Sequence, residues 1–329
     1  KPTIINKSRN SENLFDLSEY YCRIKLSDEV VLPKLEKINN GSNIIYRLKD
    51  RLSFKITENA KLDLTHVKER RKLDNLHNPE ARDRFELEIE FTNKITFEEF
   101  SSIFSTVFKD IYDTPVIYRK SEKDNIISTF RNAMGEQYTN NLSLRNSITL
   151  EKQHIVNFMY QNYTITDKAD GERYILFISK GSVTLINPNM KIKILDMDVS
   201  QNLLSTAIDG ELIYINNVMV FLPFDIFLHD GVNIKNDQNM TLKKRLGILK
   251  NVLKEYFNCN VPLFDFSSSK KDATLENVLK YYENEVKNYW KSVNTSFSKN
   301  KSKFFMIPKC YLFPIGISKS EIYAYSVLM

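Results

Sequence analysis

The segment from 164 to 173, Thr-Ile-Thr-Asp-Lys-Ala-Asp-Gly-Glu-Arg, carries the residue types that a nucleophilic lysine site needs. Lys168 follows a β-branched run, the Asp170-Gly171 pair is typical of a tight turn, and Arg173 opens the next apolar run. A lysine amine becomes nucleophilic at neutral pH when burial or a cationic neighbour, such as a divalent metal, lowers its pKa. Lys168 is therefore a candidate to attack a phosphorus atom. Taken alone, the Lys-x-Asp-Gly tetrapeptide is more typical of an ordinary hairpin turn with a solvated lysine.

Two further segments follow in order. Ile208-Asp209-Gly210-Glu211-Leu212 lies about 40 residues beyond Lys168, and Phe224-Asp225-Ile226 lies about 14 residues beyond that. This order resembles motifs I, III and IIIa of the covalent nucleotidyltransferases, which include mRNA capping guanylyltransferases and polynucleotide ligases. On its own, Phe224 fits a core aromatic equally well. The Asp-Gly pairs at 170, 209 and 230 are each typical of tight turns.

The resemblance implies a role for each matching position. Lys168 would form the lysyl–nucleotide phosphoramidate, Asp170 and Arg173 would contact the nucleotide, Glu211 would serve the ribose or metal side, Phe224 would stack on the base, and Asp225 would hold the site or a metal. Two later motifs of that superfamily do not occur before Met329. We therefore expect the chain to be the N-terminal part of a longer protein.

The first half carries a row of cations. The strand-like segment 44–54 alternates so that Arg47, Lys49 and Arg51 share one face, while Leu48 and Leu52 are expected to point into the packed side. Such a row can clamp a polyphosphate.

A row of acids follows at 85–91, where Glu86, Glu88 and Glu90 share one face opposite an apolar face. Carboxylates in this pattern can hold a divalent metal for phosphate hydrolysis. A solvated sheet face would show the same alternation in either strand.

The two rows, with Lys61-Leu62-Asp63-Leu64-Thr65-His66-Val67-Lys68 between them, resemble the triphosphate tunnel metalloenzymes, which are β-barrel RNA triphosphatases. The resemblance implies that Arg47, Lys49 and Arg51 bind phosphates, that Glu86, Glu88 and Glu90 face the metal, and that Asp63, Lys68 and Lys25 line or brace the tunnel. The family also uses a Glu-x-Glu strand near its start, which does not precede residue 44. An N-terminal strand is therefore expected to be missing.

Triphosphatase followed by guanylyltransferase is the order found in mRNA capping enzymes, and the chain resembles the N-terminal part of those of mimivirus-like large DNA viruses, with kinship to asfarvirus and yeast linear-plasmid enzymes. This implies 5′-triphosphate RNA and GTP as substrates, Mg²⁺ or Mn²⁺ as cofactor, a methyltransferase domain in the full-length protein, and the viral RNA polymerase as a partner. Two alternatives remain open: an ATP-dependent polynucleotide ligase, and a catalytically incomplete RNA-binding or scaffold subunit.

Composition agrees with such a protein without identifying it. The 329 residues are 42% hydrophobic and 12% aromatic, which excludes intrinsic disorder, and the net charge of +6 permits a basic groove. The three cysteines lack metal-ligand spacing, and no apolar run approaches the roughly 20 residues of a membrane span. We expect a cytoplasmic location, in a viral factory, a virion or a plasmid host, without membrane contact.

The periodicity predicts an α+β protein of two domains. Residues 1–134 would hold a tunnel-like antiparallel β-barrel with helices at 97–111 and 120–134, and residues 135–329 a ligase-like α+β domain with helices at 241–257 and 274–297. The polar, Asn-rich stretch 135–147 places the boundary near Gly135.

Overall fold

A computed structural model describes residues 4–8, 14–26, 28–32, 45–70, 82–135, 144, 149, 151, 153, 164–200, 202–265 and 275–313. The chain is a mixed α+β protein, and its contacts divide it into two compact units, Lys1–Tyr112 and Asp113–Met329. Among the described helices, none is both long enough and apolar enough to cross a membrane.

Unit 1 contains seven described strands and one long helix. The strands are β1 (Ile4–Ser8), β2 (Leu14–Leu17), β3 (Cys22–Lys25), β4 (Asp28–Leu32), β5 (Tyr46–Lys55), β6 (Ala60–Arg70) and β7 (Arg82–Phe91), and the helix is α1 (Phe97–Tyr112). They form two-stranded sheets β1-β4 and β2-β3 and the antiparallel sheet β5-β6-β7. These described strands do not pair into a closed barrel, so the expected tunnel is not present in the hydrogen bonding of this part of the chain.

Helix α1 forms where the aromatic residues recur at helical spacing. The Thr96 side chain accepts a hydrogen bond from the Glu99 amide at 3.1 Å, which caps the first turn. Phe108 is buried, and Phe100 contacts the last residue of β7, Phe91, with ring centroids 5.9 Å apart. The predicted helix at 97–111 is therefore present and packs on the end of a strand.

Unit 2 is built on one large sheet with helices on both faces. Its elements are α2 (Lys120–Met134), β8 (Ile165–Thr166), β9 (Glu172–Ser179), β10 (Ser182–Ile186), β11 (Ile192–Asp198), β12 (Thr206–Ile215), β13 (Val218–His229), β14 (Val232–Asn233), α3 (Leu242–Phe257), β15 (Leu263–Asp265), α4 (Leu275–Ser298), β16 (Phe304–Met306) and β17 (Tyr311–Phe313). The large sheet has the order β11-β10-β9-β12-β13-β14, with β16 parallel to β13, and β15-β17-β8 form a smaller sheet.

The alternation of β9 determines which helix packs on which face. Leu176 and its alternate neighbours belong to the apolar cluster that includes Leu246 of α3. Phe177 faces the other way, and its ring lies 5.1 Å from that of Phe130 of α2. The sheet is thus covered on both faces, as its nearly continuous apolar strands require.

Helix α2 packs in unit 2, so the boundary between the two units lies before this helix and not near Gly135 as predicted. Phe130 and Met134 are buried in the apolar cluster of unit 2, and the Asn233 side chain donates to the Met134 carbonyl at 2.8 Å. Gly135 ends this helix in the left-handed conformation, with φ of 69°. The sequence marks the end of a helix at Gly135, and most of the polar stretch that follows lies outside the described residues.

Candidate functional site

In unit 2, strands β9 and β12 bring three predicted or motif residues side by side. Glu211 lies opposite Arg173, and Asp209 lies opposite Ile175. The Arg173 guanidinium donates to both oxygens of Asp209, from Nη2 to Oδ2 at 2.6 Å and from Nε to Oδ1 at 3.0 Å. Burial raises the pKa of the Asp209 carboxyl to about 6, although Arg173 opposes the shift. Asp209 thus fixes the guanidinium that is predicted to contact the nucleotide.

Gly210 lies inside β12, so the prediction of a tight turn at Asp209-Gly210 is wrong. The ring of Phe221 on β13 occupies the space that a side chain at 210 would need, and a Cβ there would also lie 2.9 Å from the Leu222 carbonyl oxygen. The glycine therefore permits close approach of a neighbouring strand rather than a change of direction. The register between β12 and β13 shifts at this point, which indicates a bulge beside the site.

Lys309 was not predicted from the sequence, yet it lies at the centre of this group. Its side chain is 7% exposed. Its ammonium donates to Glu211 Oε1 at 3.1 Å and lies 4.9 Å from the centroid of the Phe224 ring. Arg173 lies 5.8 Å from the same centroid. The structure therefore brings the predicted residues Arg173, Glu211 and Phe224 together.

Lys168 and Asp170 lie in the irregular segment between β8 and β9, and their side chains are 83% and 89% exposed. The two side chains form an ion pair, which raises the pKa of Lys168, with a smaller contribution from the charge of Glu211, and lowers the pKa of Asp170. The amine is thus protonated in this state, the opposite of what a nucleophile needs. It becomes reactive only when the negative partner is withdrawn or a cation approaches.

Asp167, the residue before Lys168, is held in place by the segment that leads into β17. Asp167 Oδ1 accepts a hydrogen bond from the Cys310 amide at 2.9 Å, and the Thr164 hydroxyl donates to the Leu312 carbonyl at 2.7 Å. The exposed lysine therefore extends from an anchored segment.

Asp225 follows Phe224 on β13 and pairs with a side chain of helix α3. Its two oxygens accept hydrogen bonds from Arg245 of α3 at 2.7 and 2.9 Å, and both side chains are buried. Of the two roles expected for Asp225, this arrangement favours holding the site over binding a metal.

In unit 1, the two predicted charged rows lie on one face of the sheet β5-β6-β7. Arg51 is opposite Thr65, which is opposite Glu86, and Asp63 is opposite Glu88. Lys61 is likewise opposite Glu90. The predicted alternation of both strands is therefore present in the structure.

The acids of this face pair with its cations, in most cases across the strands, whereas Arg84 and Glu86 both lie on β7. The shortest approaches are Lys49 to Glu86 at 3.7 Å, Arg51 to Asp63 at 2.9 Å, Arg51 to Glu88 at 3.3 Å, Lys61 to Glu90 at 3.0 Å, Arg84 to Glu86 at 2.6 Å and Arg47 to Glu69 at 2.9 Å. Each of these charges is thus balanced by a neighbour. Glu69 and Arg84 also belong to this network and were not predicted from the sequence.

The covered face of this sheet is the charged one, which corrects the expectation for Leu48 and Leu52. These leucines are 42% and 63% exposed, whereas Asp63, Thr65 and Val67 of the central strand are at most 2% exposed. Arg51 extends over the central strand, donating to Thr65 Oγ1 at 3.1 Å as well as to Asp63. Alternation predicted the two faces but not which one would be covered.

Lys68 and Lys25 do not join the cationic row in the described structure. Lys68 is opposite Leu48, so it lies on the other face of the sheet. Lys25 lies on β3, whose partner strand is β2, in a separate sheet. The row consists of Arg47, Lys49 and Arg51.

The charged face contains a carboxylate pair suited to a hard divalent cation. Asp63 and Glu88 are cross-strand neighbours, and Asp63 Oδ1 is buried without a hydrogen-bond partner among the described residues. Mg²⁺ commonly uses only one or two carboxylates, with waters and substrate phosphates completing its shell. Within the described ranges, no three acidic, histidine or cysteine side chains converge as a metal-holding group. Alternate residues of one strand lie roughly 7 Å apart, which spreads Glu86, Glu88 and Glu90 along β7.

Comparison with known families identifies the class of protein. Residues 116–304 match the family described as "mRNA capping enzyme, catalytic domain", and residues 3–118 match "mRNA capping enzyme, beta chain", the mRNA triphosphatase family. The first match spans more than half of the chain, so the chain belongs to the mRNA capping enzyme family. The resemblance to mRNA capping enzymes is therefore confirmed.

The chain is 34% identical over 333 residues to a "Probable mRNA-capping enzyme" of Acanthamoeba polyphaga mimivirus, covering 98% of this chain and 28% of that protein. A solved structure, described as the RNA triphosphatase domain of a trifunctional mimivirus mRNA capping enzyme, is 31% identical. That match covers 32% of this chain and 48% of the other, with a TM-score of 0.29. The chain thus spans less than a third of the length of its mimivirus relative.

Proposed function

We propose that this chain carries out the first two steps of mRNA 5′ capping. Unit 1 would remove the γ-phosphate of 5′-triphosphate RNA, and unit 2 would transfer GMP from GTP to the resulting diphosphate end. The observation that carries the proposal for unit 2 is the meeting of Arg173, Glu211 and Phe224 around one point. Its counterpart in unit 1 is the shared face of Arg51, Glu88 and their neighbours.

In the transfer step, Lys168 Nζ, having lost a proton, would attack the α-phosphorus of GTP. A P–N bond forms, the bond between the α-phosphorus and the bridging oxygen breaks, and pyrophosphate leaves. The terminal oxygen of the RNA diphosphate then attacks the same phosphorus, the P–N bond breaks and the lysine recovers its proton. Arg173 is suited to bind phosphate oxygens and Phe224 to stack on the base.

In the hydrolysis step, water would attack the γ-phosphorus of the RNA end, and the bond to the β-phosphate oxygen would break. Arg47, Lys49 and Arg51 would bind the phosphates, exchanging their glutamate partners for phosphate oxygens. Asp63 and Glu88 would hold Mg²⁺ or Mn²⁺, which supplies charge stabilisation and activates water when bound. A tunnel enclosing this face would account for the burial of Asp63, Thr65 and Val67.

Covalent labelling tests the proposal for unit 2. Incubation with α-labelled GTP should give an acid-labile protein adduct, and Lys168→Ala and Lys168→Arg should abolish it. Because Lys168 is 83% exposed, both variants should melt at the wild-type temperature. Full labelling of Lys168→Ala would contradict the assignment.

The same assay distinguishes the other functions that the motifs permit. An adduct formed from ATP in preference to GTP would indicate a polynucleotide ligase. The absence of any adduct and of phosphate release in a protein carrying the flanking sequence would indicate an RNA-binding or scaffold subunit. The paired charged rows of β5 and β7 favour the capping enzyme, because a ligase has no need of them.

A further inference from the structure

Three consecutive residues, 309 to 311, each contact a different part of the proposed nucleotide site. Lys309 reaches Glu211 and the Phe224 ring, the Cys310 amide donates to Asp167, and the Tyr311 hydroxyl donates to the Phe224 carbonyl. The backbone amide of Lys309 also donates to the Pro223 carbonyl at 3.2 Å. The backbone and the side chains of this segment are therefore both anchored, which fixes the position of the Lys309 ammonium.

Among the described residues, Glu211 is held by one of its two carboxylate oxygens. Oε1 accepts from Lys309, while Oε2 is buried and has no hydrogen-bond partner within the described structure. A buried carboxylate oxygen without a donor is unfavourable, so a ligand that brings a hydroxyl donor gains from binding there. The nucleotide's ribose hydroxyls are such donors.

We propose that Lys309 is a positioning residue of the nucleotide site: its ammonium fixes Glu211 so that Oε2 accepts a hydrogen bond from a ribose hydroxyl. This rests on nucleotide binding at unit 2 as proposed above. Because Lys309 occupies Oε1, the free oxygen has one orientation, and the site distinguishes a ribonucleotide from its deoxy analogues. Loss of Lys309 frees the carboxylate to rotate and removes this distinction.

Lys235 offers a matched control. It is also a buried lysine, 6% exposed, and its ammonium lies 5.7 Å from the ring of Phe227, three residues along β13 from Phe224. Lys235→Met therefore reproduces the loss of a buried cation beside an aromatic ring of the same strand. Lys309→Arg keeps the charge and the donor.

The test measures binding of GTP, 2′-deoxy-GTP and 3′-deoxy-GTP by titration calorimetry, in the full chain carrying Lys168→Ala so that no adduct forms. We expect a preference for GTP over at least one deoxy analogue of roughly tenfold or more, the usual value of a charge-assisted hydrogen bond. Adding Lys309→Met should abolish this preference, Lys309→Arg should restore most of it, and Lys235→Met should leave it unchanged.

Two results would overturn the proposal: equal affinity for all three nucleotides in the parent protein, or an unchanged preference in Lys309→Met. Loss of the preference in Lys235→Met as well would also overturn it, since the effect would then follow from general loosening of the strand. Discrimination in binding together with no adduct from the protein with Lys168 intact would refute guanylyl transfer and leave the role of Lys309 standing.

Discussion

Arg173 and Asp209 form a two-bond ion pair between neighbouring strands, with a shortest N–O distance of 2.6 Å and an Asp209 side chain only 1% exposed. The pair holds a guanidinium at the site where Glu211 and Phe224 also lie. Because the carboxylate is enclosed, its charge depends on pH near neutrality. This relationship makes the geometry of the proposed nucleotide site sensitive to acid.

The first prediction concerns this pH dependence. Asp209, with a pKa of about 6, should take up a proton as the pH falls below that value, and Arg173 should then lose its ionic partner. GMP adduct yield should therefore show a step near pH 6. In Asp209→Asn the yield should be low throughout and the step absent, whereas persistence of the step would assign it to another group.

The same group gives a stability prediction of defined sign. Its folded-state pKa lies above the ordinary value of 3.8, so its favourable contribution is complete below about pH 4 and is lost as the pH rises through 6. In urea unfolding, Asp209 should therefore contribute more to the free energy of unfolding at pH 4.5 than at pH 7. Asp209→Asn should remove this contribution and so change the difference in unfolding free energy between the two pH values. A difference that is the same in wild type and Asp209→Asn would contradict the prediction.

Helical and strand periodicity predicted much of the architecture. The helices expected at 97–111, 120–134, 241–257 and 274–297 are observed at Phe97–Tyr112, Lys120–Met134, Leu242–Phe257 and Leu275–Ser298. Such agreement follows because local spacing determines these elements. The covered face of the β5-β6-β7 sheet was not predictable in this way, because burial depends on contacts that alternation does not specify.

Of the residues of the proposed nucleotide site, some were predictable from the sequence and one was not. Motif spacing selected Arg173, Glu211 and Phe224, and the structure places them together. Lys309 carries no sequence signal, since it lies 98 residues from Glu211 and meets it only through the pairing of distant strands. A resemblance can supply positions that match a motif, whereas the partner of a motif residue has to be found in three dimensions.

The third prediction concerns the ion pair of Lys168 with Asp170. Asp170 raises the pKa of the Lys168 amine, so Asp170→Asn should lower that pKa and increase the neutral fraction at a given pH. The pH midpoint of adduct formation should move down, measured by labelling over a pH series. Asp196→Asn on β11 serves as a control for loss of an acidic charge elsewhere in unit 2. An unchanged midpoint together with a lower adduct yield at every pH would show that Asp170 acts chiefly by binding substrate.

The fourth prediction separates the two activities. Glu88→Ala should abolish metal-dependent γ-phosphate release, because it removes one of the two carboxylates, Asp63 and Glu88, that are proposed to hold the metal. GMP adduct formation should remain at the wild-type level. Glu58→Ala, which removes a glutamate that is 86% exposed and paired with Lys55, should change neither activity. Near-normal phosphate release by Glu88→Ala would show that Glu88 is a surface carboxylate.

The last prediction concerns the two faces of the β5-β6-β7 sheet. Arg47→Ala, Lys49→Ala and Arg51→Ala should each raise the KM for triphosphate RNA or lower turnover by about tenfold or more, since each removes a charge-assisted contact of about 1.5–3 kcal/mol. Leu48→Ala should lower the free energy of unfolding by less than about 1 kcal/mol, because this leucine is 42% exposed. Val67→Ala, which removes a fully buried side chain from the central strand, should lower it by about 2 kcal/mol. Steady-state kinetics and urea unfolding on all five variants distinguish a substrate-binding charged face from a structural one. The assignment is wrong if the three cation variants lose stability and keep their kinetics, because the charges would then serve only to cover Asp63, Thr65 and Val67.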